Sequence, residues 1–521
     1  MNITYKCQKL DQPIRTTVDQ LKAGAILSYV LIALNTLIAL LYTPFMLRLM
    51  GQNEFGLYSL VASMIAYLAI FDFGFGNAIT RFTARFKAEG KLAEQYKMFG
   101  MFIIIYALIG FVVLLSGVWL YFNVSRLFDA SMTAYDMSKI RIMLILSIGN
   151  MAFTFPMSVF GSIMNAYERF VFQRVLHIVR IILNPLVMII ALYWGYRAIG
   201  MTIVSIVFNV IILFTNAWYC FKRLKIRIEF AGIEIALVKE ICIYSFWVFL
   251  IAIMDRVYYS TGQFVMGIHG GASATAVYAL AMYLVGFYIS FSSAISGVFL
   301  PKITAMITNN KNTKPISDLF LRVGRIQFIV MCYILIGFVL FGRQFITLWV
   351  GAEYCDAYVI CLIYFIPLLV PLIQNLGLSI LQAHNLMKFR SILYLIAALL
   401  SLGLSLPLAK LYGGVGCAAG SAISITLCTS IAMNIYYWYK ISIDIPTFWY
   451  EIAKMSIFPI IVGLVTAYVL VNVDIVSWGH LIVAVVLFSI CYLPTVYFFS
   501  MNCNERELFL LVLKSCSRWR N

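Results

Sequence analysis

Charge is scarce in this sequence. Only 11% of its 521 residues are charged, against roughly 25% in soluble domains, while 63% are hydrophobic and mean hydropathy is +0.95. A water-soluble fold is excluded, and so are disordered and collagen-like classes. Acids are rarer than bases, 21 against 38, and histidines number four. The eleven cysteines contain no CxxC pair, which argues against a zinc site or a disulfide framework. There is no P-loop, so direct use of ATP is not expected, and no cofactor is implied. Nor is there a long polar stretch: gaps between apolar runs reach only about 25 residues, too little for a soluble domain. The first apolar run follows 22 polar residues and exceeds signal-peptide length, so no cleavable leader is expected.

What remains is apolar sequence in bilayer-length pieces. A crossing helix needs about 20 mostly apolar residues, and that ruler marks fourteen spans between residues 23 and 500. Runs of this length are helices, since barrel strands are shorter and alternate. The expected fold is an all-α polytopic membrane protein. With the N-terminus placed in the cytoplasm, the inner tails and gaps hold 26 lysines and arginines and the outer gaps 4, with eight inside spans. That asymmetry predicts both termini inside and explains the net charge of +17 without nucleic acid. Residues 508–513, flanked by Lys514, Arg518 and Arg520, read either as a helix on the inner leaflet or as a solvated tail.

The chain also echoes itself at an offset of 216–220 residues. Leu49-Met50-Gly51 returns as Val265-Met266-Gly267, Leu57-Tyr58-Ser59-Leu60 as Val277-Tyr278-Ala279-Leu280, and the Tyr196–Gly200 spacing as Tyr412–Gly416. The repeat divides the chain into an N-lobe (1–234, spans 1–6), a C-lobe (235–440, spans 7–12) and a segment 441–521 with spans 13 and 14. Six spans per lobe give both lobes the same orientation, related by a pseudo-two-fold axis along the membrane normal, with a cleft suited to alternating access.

Charged residues at membrane depth cost about 2.5–3.5 kcal/mol on insertion scales, so each one needs an explanation. In the fifth span Gln173, His177, Arg180 and Asn184 fall within roughly 60° on a helical wheel, with Arg174 at the edge. This stripe reads as a cationic lining facing protein or water, the alternative being that Arg180 pairs with a neighbouring carboxylate and fixes packing. Asp72 lies deep in span 2 within Phe71-Asp72-Phe73-Gly74, and Arg81 sits at its cytoplasmic mouth. Asp255-Arg256 lie mid-run in span 7, with Gln263 further on. The hydroxyls of span 8, including Ser290, Ser292, Ser293 and Ser296, serve either as interhelical glue or as sugar contacts.

Gly51-Gln52-Asn53-Glu54-Phe55-Gly56-Leu57-Tyr58, followed by Asp72-Phe73-Gly74, resembles the polysaccharide-export branch of the multidrug and oligosaccharidyl-lipid exporter superfamily, to which Wzx-type O-antigen flippases belong. Asp255, Val277-Tyr278 and Leu348-Trp349-Val350-Gly351 match that pattern too, and the likeness spans nearly the whole chain. Tyr258-Tyr259 depart from it, standing where the family often has glycines. The resemblance implies a flippase, not an enzyme, in the bacterial inner membrane. It would carry an undecaprenyl-diphosphate-linked oligosaccharide, such as a lipopolysaccharide O-antigen, capsule or exopolysaccharide unit, to the outer leaflet. Under that reading Arg180, with Arg174, Arg256 and Arg81, would draw in the diphosphate, since guanidinium suits phosphate bidentately. Asn35, Asn150, Gln263 and Gln374 would join Gln173, His177 and Asn184 in contacting sugars. Asp72 and Asp255 are the candidates for a coupling ion, and polysaccharide polymerase machinery is the candidate protein partner. The rivals are a multidrug antiporter of the same fold, whose organic cations would avoid these arginines, and a polytopic glycan polymerase or ligase, for which the outer gaps offer few acids.

Overall fold

In the computed structural model the described residues are 14–128, 131–230, 235–296, 299, 303, 306, 314–384, 386–471, 473–502 and 505–507. They are helical almost throughout and hold no strand, as hydrocarbon demands of a chain that must satisfy its own backbone. Among them eleven helices are long and apolar enough to cross a bilayer, or twelve when the pair Ala357–Ile373 and Leu376–Gln382, bent by 49°, is taken as one span.

Two helices are too long to be single crossings. Ile235–Ser296 has 62 residues and Lys388–Ile441 has 54; at 1.5 Å per residue they would reach about 93 Å and about 81 Å, against a hydrocarbon core of about 30 Å. Each is broken by a glycine in a conformation that side-chain-bearing residues avoid, Gly271 (φ 73°, ψ −167°) and Gly413 (φ 58°, ψ −136°). Dividing there yields spans 7 (235–270), 8 (272–296), 11 (387–412) and 12 (414–441), and fourteen spans in the described chain. The turns themselves recur along the chain. Positive φ at Gly51, Gly195 and Lys225 returns at Gly271, Gly413 and Ser442, 220, 218 and 217 residues later.

Close packing groups the chain into two units. The first comprises 1–50, 68–125 and 134–252; the second comprises 51–67, 126–133 and 253–521. Span 2 (Gln52–Ala88) is shared between them at a break: a 3₁₀ turn, Ala69–Asp72, then Phe73 and Gly74 in the left-handed region.

Within the second unit the motif Gly51–Tyr58 does packing work. Gly51 makes the turn into span 2, Leu57 is fully buried, and Gln52 Nε2 donates to the Glu353 carbonyl at 2.9 Å. Glu353 follows Leu348-Trp349-Val350-Gly351, so the two motif pieces that carry the resemblance meet. At Gly56 a Cβ would lie 1.8 Å from the Ala272 carbonyl oxygen, which leaves room for hydrogen alone. Spans 13 (Ile445–Leu470) and 14 (Trp478–Ser500) are fastened by Arg325 of span 9 (Lys314–Trp349). Its guanidinium donates to Glu505 at 2.6 and 3.0 Å, to Glu451 at 2.6 Å and to the Ser500 carbonyl at 3.0 Å.

Gly56→Ala should cost about 1–3 kcal/mol, as overpacking of a tight contact does. Thermal unfolding of the purified variant checks this, and an unchanged melting temperature would contradict the contact.

Candidate functional site

Span 5 (Phe170–Tyr193) presents its sequence-predicted polar stripe opposite a face of exposed apolar residues, Val175, Val179, Ile182, Leu186 and Ile190, which suits acyl chains. Arg174 and Arg180 are half-buried, whereas His177 is exposed. Gln173 Nε2 donates to the Gly161 carbonyl of span 4 (Ala134–Ala166) at 2.9 Å, so it holds two spans together. Asn184 Oδ1 is buried with no hydrogen-bond partner among the described residues, one turn beyond Arg180. Guanidinium, imidazole and carboxamides thus share one side of a helix whose other side is hydrocarbon-like.

The second unit holds a cavity of about 250 Å³ where two helices are irregular. Span 10 (357–382) bends between Ile373 and Leu376, and span 12 winds as a π-helix over Ile425–Ala432. Irregular backbone at membrane depth persists only when buried in protein or lining a polar cavity, and π-turns are frequent at functional sites. Gln374 stands at the bend, exchanging hydrogen bonds of 2.8 and 3.2 Å with Asn434. Trp449 Nε1 also donates to Asn434, at 3.0 Å. Asn375 Nδ2 reaches Ser296 Oγ at 3.0 Å. Across the cavity, Arg390 Nη2 donates to the Tyr394 hydroxyl at 3.0 Å, and its guanidinium lies 4.7 Å from that ring's centre.

Comparison with known proteins now decides the family. Residues 21–307, more than half of the chain, match the family model described as polysaccharide biosynthesis protein. The chain belongs to the polysaccharide biosynthesis protein family. A search of curated proteins found no match. Among solved structures, the lipid II flippase MurJ in an inward-closed conformation shares 16% identity at a TM-score of 0.72, covering 91% of this chain and 98% of its own. An inward-facing MATE-family multidrug resistance transporter of the MOP superfamily shares 14% at 0.67, covering 78% and 94%. A MOP superfamily transporter from Pyrococcus furiosus shares 13% at 0.57, covering 81% and 96%. At such identities the likeness shows the fold alone, a multi-pass MOP-like transporter fold.

The remaining sequence-predicted residues of this polysaccharide biosynthesis protein are dispersed. Asp72, at the break in span 2, accepts from the buried Tyr106 hydroxyl at 2.9 Å. Arg81 is exposed, its guanidinium 6.0 Å from the Phe82 ring centre. Asn35 is exposed on span 1 (Ala33–Met50). Asn150 Oδ1 accepts from Asn209 Nδ2 at 3.0 Å, and the same Nδ2 donates to Thr154 Oγ1 at 2.8 Å, bonds that join span 4 to span 6 (Arg197–Lys222). Gln263 is half-buried. Asp255 and Arg256 lie on helix 235–296, but their side chains are outside the described residues, as are residues 508–521. Of the span-8 hydroxyls, Ser290 donates within its own helix to the Gly286 carbonyl, whereas Ser292 donates across to the Leu372 carbonyl of span 10.

Arg390 and Asn434 were missed by inspection of the sequence. The signal for Arg390 was present, since the internal repeat at an offset of 216 carries Arg174 onto it. Asn434 gave no signal, because its role comes from the bend in a different helix.

Asn209→Ala removes both donations from Asn209. Interhelical hydrogen bonds in membranes average about 0.6 kcal/mol, so a stability loss of about 1 kcal/mol is expected. Thermal unfolding of the purified variant checks this; an unchanged melting temperature would contradict the role of these bonds in joining the two spans.

Proposed function

We propose that this family member is a flippase that moves a polyprenyl-diphosphate-linked glycan from the inner to the outer leaflet of the bacterial cytoplasmic membrane, with both termini inside. The observation that carries the reading is the span-5 stripe of Arg174, Arg180, His177, Gln173 and Asn184, set opposite an apolar face. A diphosphate is a compact multiple anion, and planar guanidinium groups match it with paired N–H donors. Family membership directs the cargo toward polysaccharide synthesis, and the transporter fold supplies a means of alternating access. Arg174 and Arg180 are half-buried, so solvent reaches this side of the helix. The Asn184 carboxamide beside them is suited to a sugar hydroxyl, and the lipid tail stays in the bilayer along the apolar face. In this scheme Asp72 or Asp255 takes up the coupling ion.

Arg180→Ala should abolish surface glycan while the protein remains in the membrane at its normal level. Arg180→Lys should restore only part of the export, because the charge returns without the fork. Surface-glycan staining with immunoblots of membranes checks both; normal export by the alanine variant would overturn the reading. Altered dye retention with normal glycan would favour a drug antiporter.

A further inference from the structure

The cavity of the second unit lies outside the span-5 stripe, and its lining chemistry is distinctive. It contains one guanidinium, Arg390, and among the described residues no acid. The Gln374 and Asn375 carboxamides and the Ser293 and Thr429 hydroxyls contribute polar groups, while Leu368 and Met433 contribute apolar wall. Carboxamides offer both donors and acceptors, and guanidinium only donors. Together they suit a ligand with several hydroxyls and one anionic group, which an organic cation does not have. The volume of about 250 Å³ falls below the roughly 300–1,000 Å³ of sites for drug-sized ligands and suits a single ring. Arg390 is steadied by Tyr394, through both its hydroxyl and its ring, which presets the fork before a ligand arrives. Two of the four walls break regular helix at this point, bringing backbone polarity to a place where lipid could not satisfy it.

From this geometry we infer that the cavity is a subsite for a single acidic sugar ring, its carboxylate on Arg390 and its hydroxyls on Gln374 and Asn375. The ring belongs to the glycan being moved, an assignment of source that rests on the flippase reading. The subsite would make the protein selective for glycans that contain a uronic acid.

A built-in reporter makes the subsite testable. Trp449 is hydrogen-bonded to Asn434, which is bonded to Gln374, so filling the cavity should perturb its fluorescence. Purified full-length protein in lipid nanodiscs is titrated with glucuronate, glucose and inorganic phosphate. Glucuronate should give a saturable change that Trp449→Phe removes, at least tenfold tighter than glucose or phosphate. Arg390→Ala should weaken it at least tenfold, and Arg390→Lys should recover part, with melting temperatures confirming that both variants are folded. No saturable glucuronate signal, equal binding by Arg390→Ala, or phosphate binding as well as glucuronate would each overturn the subsite. In proteoliposomes, labelled polyprenyl-diphosphate disaccharides with and without a uronic acid are then compared. Faster crossing of the acidic one, abolished by Arg390→Ala, supports the cargo assignment. Equal crossing of the two with glucuronate binding intact overturns it in favour of a free sugar acid as ligand. Failure of both to cross overturns the flippase reading, while the binding titration still judges the subsite.

Discussion

Hydrocarbon cannot hydrogen-bond, and most of this architecture answers that constraint. Backbone groups are satisfied within helices, and side-chain groups must find partners inside the protein or gather where water reaches them. Arg325 shows the first solution at its most complete. Its side chain is 5% exposed, with donors directed at Glu505, Glu451 and the Ser500 carbonyl, so two separate stretches of chain converge on one cation. Removing one partner of such a cluster strands the rest, which is why breaking buried ion pairs costs more than their formation returns.

The second solution is found where helices break. Asp72 stands where span 2 passes through a 3₁₀ turn into a left-handed pair, and Gln374 stands where span 10 bends by 49°. The π-turn of span 12 faces the same cavity as Gln374. In each case a break that would be costly against lipid is accompanied by polar side chains, and these places differ from the smoothly helical, apolar faces around them.

Resemblance and chemistry also part company in this molecule. The segment Gly51–Tyr58 that points to the family serves packing: Gly56 meets the Ala272 carbonyl, and Gln52 bonds to Glu353. Such contacts depend on backbone shape and on no ligand. The residues proposed to meet an anionic glycan, Arg180 on span 5 and Arg390 on span 11, stand outside that segment. Asn150, equally polar in sequence, is committed to joining two helices.

The sequence by itself determined that the protein is helical and multi-pass, because apolar run length and scarce charge admit no other fold in a bilayer. It also determined the span-5 stripe, since 100° per residue places Gln173, His177, Arg180 and Asn184 on one side whatever the neighbours are. Only the tertiary structure decided that Asn150 is glue, that Gln374 sits at a bend, and that Arg390 borders a cavity with Thr429 and Ser293. These depend on which helices lie together, and an apolar chain encodes that in shape complementarity spread over many small contacts, with no local pattern to read.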